Sequence, residues 1–165
     1  MSGGYTLRPY AVFSKDRGYR YTLWRDWPLL GLPASYCMFI GLNPSTADEI
    51  QDDPTVRRCI GFAKRWGFGG LCMTNIFACR ATDPIVMLAV PAPVGPENDK
   101  YLLECAQSAG LVVAAWGNDG THLERDKQVL YLLKHQTLFC LGETKLGQPR
   151  HPLYVNGKTA PILYK

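Results

Sequence analysis

With 165 residues, 47% of them hydrophobic and 19% charged, the chain has the size and composition of one globular domain spanning 1–165, which excludes a disordered or low-complexity protein. No apolar run reaches the roughly 20 residues that a membrane helix needs, and the opening MSGGYTLRPY has no signal-like apolar stretch, so the expected compartment is the cytoplasm and no membrane partner is expected. A net charge of +4 and a pI near 8.7 permit contact with phosphates, although the basic residues are spread along the chain and not clustered as in a dedicated nucleic-acid binder.

Taken in chain order, Tyr10–Ser14 and Tyr19–Trp24 alternate apolar and polar residues around Lys15-Asp16-Arg17-Gly18, which predicts a β-hairpin. Trp27-Pro28 and Gly31-Leu32-Pro33 read as a loop. Tyr36–Leu42 is a continuous apolar run, as expected of a strand buried on both faces. A polar loop from Ser45 to Asp53 follows. Pro54–Trp66 has helical spacing, with Val56, Cys59, Ile60, Ala63 and Trp66 on one face, Asp53 as N-cap, Pro54 in the first turn and Gly67 as the stop. Gly70–Phe77 is a second buried strand, Pro84–Val90 a short helix and Glu97–Ala109 a longer one. Leu111–Trp116 is a third strand, His122–Lys134 a helix and Thr137–Leu141 a fourth strand. Tyr154-Val155 and Ile162–Tyr164 are short extended pieces in a loop-rich tail.

Strands alternating with helices predict an α/β fold, a three-layer α/β/α sandwich with a mostly parallel central sheet plus the N-terminal hairpin. In such sheets the ligand crevice lies beyond the carboxyl ends of the strands. That rule selects Asn43-Pro44, Asn75 to Arg80, Gly117-Asn118 and Gly142 to His151. None of the six cysteines forms a CxxC pair, and they read as small buried hydrophobes, so neither a metal nor a metal cluster is expected.

Several of the selected residues carry chemistry. Asn43 is held at a strand end by the following proline; its amide suits holding a water or reading a base edge, or equally a turn that bonds its own backbone. An asparagine inside an apolar strand, Asn75, needs a partner for its amide, which a ligand or neighbouring backbone could supply. In Gln148-Pro149-Arg150-His151-Pro152, prolines bracket one histidine, fit to donate to a developing oxyanion, and one arginine, fit to pair with phosphate; a plain surface loop is the alternative. The acids Asp48, Glu49, Asp52 and Asp53 read as a solvated loop with one helix cap, with Asp48 in reserve for activating water. The P-loop, dinucleotide, nucleophile-elbow and zinc-deaminase signatures are all missing from the sequence.

The segments FIGLNPSTAD, DDPTVRRCIGFAKRWGFGGL, CMTNIFACRATDP, GPEND, VVAAWG and TKLGQPRHPLYV, in this order, resemble a bacterial and phage family known only as domain of unknown function 1643, over about Arg20 to Val155. More distantly, GLNP is similar to the GINPG motif of mismatch-specific and thymine-DNA glycosylases. MTNIFACR is similar to the ITNVVKCRPP strand of bacterial and archaeal uracil-DNA glycosylases, and HPLY stands in the place of their HPSP motif.

This resemblance implies a uracil-DNA glycosylase-like fold and a metal-independent, cofactor-free hydrolase acting on the N-glycosidic bond of a base in DNA or a nucleotide; a non-catalytic nucleotide- or nucleic-acid-binding module on the same fold is the alternative. Asn43 would position the attacking water, Asn75 would read the base edge and His151 would stabilise charge on the departing base; Asp48 stays the reserve candidate for activating water that its residue type alone suggests. Leu42, Pro44, Ser45, Phe77, Arg80, Trp116, Gly117 and Arg150 would help line the substrate site. The chain departs from the glycosylase pattern in three respects. The region where a base-stacking aromatic is expected reads Asp53-Pro54-Thr55-Val56, Leu153 replaces the small residue after His-Pro, and the four-cysteine cluster pattern of some relatives is absent from the sequence.

Overall fold

A computed structural model describes residues 10–27 and 35–165; the loop expected through Pro28 and Gly31-Leu32-Pro33, and the segment ahead of Tyr10, lie outside the described residues. Strands β1 (Tyr10–Phe13) and β2 (Arg20–Asp26) form the expected hairpin. Asp16 organises its turn by accepting from the Ser14 hydroxyl and the Gly18 N–H. The apolar runs become β3 (Tyr36–Gly41), β4 (Gly70–Asn75), β5 (Leu111–Ala114) and β6 (Phe139–Cys140), parallel neighbours in the order β4-β3-β5-β6.

The sheet continues past both sides of this parallel core. β2 pairs antiparallel with β4, and β7 (Ile162–Leu163) pairs antiparallel with β6, giving the seven-stranded order β1-β2-β4-β3-β5-β6-β7. The expectation of a mostly parallel sheet is therefore corrected: three of the six pairings are antiparallel. The hairpin extends the main sheet, and the short C-terminal piece closes the opposite edge. The run Thr137–Leu141 contributes only two ladder residues, and Tyr154 belongs to a 3₁₀ turn, Pro152–Tyr154, not an extended piece.

Helix α1 (Pro54–Arg65) starts where its sequence predicts. Asp53 accepts from the Val56 N–H at 2.9 Å, Pro54 needs no partner in the first turn, and Gly67 takes a φ of 86° just beyond the end. The remaining helices are α2 (Pro84–Leu88), α3 (Asn98–Ser108) and α4 (Arg125–Leu132). Alternate strand residues feed two separate cores. Cys37, Phe39, Leu71, Met73 and Val113 pack with Val56, Cys59, Phe62 and Ala63 of α1. Met38, Ile40, Cys72, Val112 and Ala114 pack with Met87, Leu102, Cys105, Ala106 and Val129 from the other helices. All six cysteines are free, and five are buried.

The helix expected from His122 starts later, at Arg125. Asn118–Glu124 is 3₁₀-like and interrupted: His122 is extended, while Leu123 and Glu124 are left-handed with φ of 55° and 54°. Leu123, within the run expected to be helical, is exposed. The side chain that anchors this start is Arg125, buried with its Nε on the Ile76 carbonyl and its Nη2 on Asp99. No helix among the described residues is long and apolar enough to cross a membrane.

Candidate functional site

The chain leaves β3 for β4 on one side and then returns to β5 on the other, so strand order reverses at β3. The ends of parallel strands diverge at such a switch point and leave a crevice. A cleft of about 700 Å³ opens there, a volume typical of small-ligand sites. Leu42, Asn43, Pro44, Ser45, Asn75, Trp116, Gly117, Arg150 and His151 all line it. Three expected residues stand apart. Phe77 is fully buried in the core against the His122 ring. Arg80 lies over the Phe13 ring and donates to the Arg17 carbonyl. Asp48 caps its own loop, its Oδ1 accepting from the N–H groups of Ile50 and Gln51 at 2.9 and 2.7 Å.

The Asn43 amide nitrogen donates to the carbonyls of Pro44 (3.0 Å), Cys79 (3.4 Å) and Ala81 (2.8 Å). Three acceptors around one amide fix its orientation and leave Oδ1, which has no hydrogen bond among the described residues, as the group open to a ligand. Asn43 thus bonds its neighbour's backbone, as a turn asparagine does, and also braces the loop that follows β4.

Asn75 is buried in the cleft floor, and among the described residues its Nδ2 has no hydrogen-bond partner. An orphaned buried donor costs about 1–3 kcal/mol, so the site stores a demand for an acceptor. The backbone beneath it is pinned: Asn98, fully buried on α3, donates to the carbonyls of Asn75 (2.8 Å) and Ile76 (3.1 Å), beside the Arg125 contact. Gly41 across the ladder leaves room for the amide, because a Cβ there would lie 2.7 Å from Asn75 Oδ1.

His151 caps the turn Pro152–Tyr154, its Nδ1 accepting from the Leu153 N–H at 3.2 Å. That bond assigns the other ring hydrogen to Nε2. Burial lowers its pKa below the ordinary 6.5, with Asp53 pulling weakly the other way, so the ring is neutral at neutral pH. The loop carrying it is tied down by the Pro149 carbonyl, which accepts from the Gly117 N–H at 2.8 Å. It is also held by a relay in which Trp116 Nε1 donates to Gln148 Oε1 (2.9 Å) and Gln148 Nε2 donates to Asp126 (3.0 Å). Gly120 permits the Trp116 position: a Cβ there would sit 2.1 Å from the indole.

Four cleft residues carry roles that sequence reasoning did not assign. Arg20, at the start of β2, is 2% exposed yet forms part of the wall. Asp53, expected only as a helix cap, lines the cleft with Oδ2 free of hydrogen bonds. Thr55 lies in the first turn of α1. Tyr154, 77% exposed, places its ring 5.5 Å from that of His151 and supplies an aromatic at the cleft. The signal for Tyr154 was adjacency to the histidine motif; for Arg20 there was none locally, since only the pairing of β2 with β4 brings it here. The rest of the acidic loop is neutralised by the hairpin, Glu49 by Arg17 and Asp52 by Arg25. Among the described residues no group of three or more His, Cys, Asp or Glu side chains is placed to hold a metal ion.

Comparison with characterised proteins and with solved structures returned no match. The model of the family described as "Protein of unknown function (DUF1643)" matches residues 20–153, and the chain belongs to that family.

Proposed function

We propose that the chain is a three-layer α/β/α domain of the uracil-DNA glycosylase type, and that its cleft hydrolyses the N-glycosidic bond of a base, modified or not, in DNA or a nucleotide. The observation that carries this reading is the gathering of Asn43, Asn75 and His151, from three distant segments, around one cleft at the strand ends. A base offers carbonyl acceptors and ring N–H donors along its edge. The unpartnered Asn75 Nδ2 supplies a donor to a base carbonyl, and the free Asn43 Oδ1 accepts from a water.

As the C1′–N bond breaks, its electron pair moves onto the base. The neutral His151 donates through Nε2–H to the base oxygen where that charge collects, which lowers the barrier. Water adds to C1′ and gives up a proton that ends on the departing base. Asp53, with a free Oδ2 in the cleft, takes that proton in transit, the role for which Asp48 was the expected candidate. Tyr154 offers the stacking face that the segment Asp53–Val56 lacks.

The direct test incubates the purified protein with single- and double-stranded oligonucleotides and nucleotides carrying normal, deaminated and alkylated bases. The expected result is a free base released in equal amount with an abasic or ribosyl product. Tight binding with no release would assign the cleft to a binding module, and neither binding nor release would remove the reading altogether. Gly41→Ala probes the floor independently. Its Cβ displaces the Asn75 amide, so base binding should weaken about tenfold, with 1–3 kcal/mol lost from stability through overpacking. Calorimetry showing wild-type affinity in this variant would take Asn75 out of base recognition.

A further inference from the structure

We propose that the cleft holds a terminal phosphate of its ligand against Arg20, so that the molecule it accepts is a free nucleotide. This deepens the glycosidic reading and rests on it for the base-binding half of the site.

Arg20 is buried in the cleft wall, and its guanidinium is only partly used. Nη1 donates to the Ala47 carbonyl at 2.9 Å, while among the described residues Nε is buried without a partner and Nη2 makes no hydrogen bond. Among the described residues no carboxylate lies within ion-pair distance of it. Asp53 is the acid that faces it electrostatically, and Arg80 and Arg25 are like charges that oppose it. Burial pushes its pKa down to about 10, the mark of a cation lacking compensation. A buried charge of this kind is costly until an anion joins it.

The surroundings supply the rest of an oxyanion cradle. The loop whose carbonyl Arg20 grips contains Ser45 and Thr46, whose hydroxyls and backbone N–H groups make no hydrogen bond among the described residues. Both line the cleft, as does Thr55 in the first turn of α1, a turn capped by Asp53. Planar guanidinium and free hydroxyls together match the acceptor oxygens of a phosphate monoester.

Depth selects the terminal group. An internal phosphodiester carries a sugar on either side and would need the strand to enter and leave past a residue that is 2% exposed. A monoester reaches that depth as the end of a small ligand, and about 700 Å³ accommodates a mononucleotide whole.

The test is a binding measurement that needs no turnover. Isothermal titration of the wild-type chain with nucleoside monophosphates and the matching nucleosides should show at least tenfold tighter binding of the phosphorylated form. Arg20→Met should erase that difference, and Arg20→Lys, which keeps a cation, should keep part of it. Equal affinity for nucleotide and nucleoside in the wild type would overturn the proposal without any variant. So would displacement of the nucleotide, at equal affinity, by an oligonucleotide lacking terminal phosphates. Failure of glycosidic cleavage alongside a phosphate-dependent affinity would sink the enzymatic reading and leave this one standing.

Discussion

Replacing His151 by alanine should lower the rate of glycosidic cleavage by about 10²–10³-fold, with substrate affinity changed much less. That is the usual loss when one donor to a developing oxyanion is removed. The ring acts in the neutral form, and its proton sits on Nε2 because Nδ1 is engaged by the Leu153 N–H. The pH dependence follows from the direction of the shift. Burial holds the folded-state pKa below 6.5, so activity should stay level as pH falls past 6.5 and decline only through the lower value. The same depression makes a stability contribution that is present above 6.5 and lost as pH falls through the folded-state pKa, because the unfolded chain takes up the proton first. His151→Gln, which retains an amide donor and never titrates, should recover part of the rate and remove the acid limb. A rate that rises as the ring protonates would show that the imidazolium is the donor.

Trp116→Ala should cost about 3–5 kcal/mol of folding stability, the usual cost of emptying a tryptophan site in a packed interior. At this chain length that corresponds to a fall of roughly 10 °C in melting temperature. The indole is 1% exposed, packs edge-on to Tyr164 and lies against the Gly120 backbone. Trp116→Phe separates packing from the relay. It keeps most of the volume and removes the donor to Gln148, so about 1 kcal/mol should be lost. Because Gln148 sits three residues from His151, the phenylalanine variant should also slow turnover while leaving the melting curve nearly in place. A melting temperature within 2 °C of wild type for the alanine variant would mean that the indole is not part of the load-carrying core.

Much of the architecture was legible because local chemistry and global fold agree. The runs at 36–42 and 70–77 are apolar on both faces and form the central parallel pair, and Asp53-Pro54 with Gly67 bound the first helix as their cap chemistry requires. Other features depended on contacts that a linear reading does not contain. The hairpin was visible, but its docking on β4 was not, and with it went the role of Arg20. Phe77 stands near a strand end, and its N–H and that of Ile76 still bond to the carbonyls of Leu42 and Gly41, yet both side chains are buried in the core and not in the cleft lining. Asp48 and Asp53 stand in one acidic run. Distinguishing them required knowing that the first spends its carboxylate on its own turn and the second faces the cleft. The apolar spacing of His122–Lys134 gave no warning of the left-handed pair that delays α4.

The splinting of the 45–53 loop by three hairpin arginines has a kinetic corollary. Arg17, Arg20 and Arg25 hold Glu49, the Ala47 carbonyl and Asp52, and the strand that carries two of them pairs with residues 70–75. These are long-range closures, made at higher entropic cost than the helix and turn contacts within each segment. Completion of the crevice wall is thus coupled to docking of the N-terminal ribbon on the sheet, a long-range closure whose loss would free residues 45–53 and uncover Leu23 of the core together.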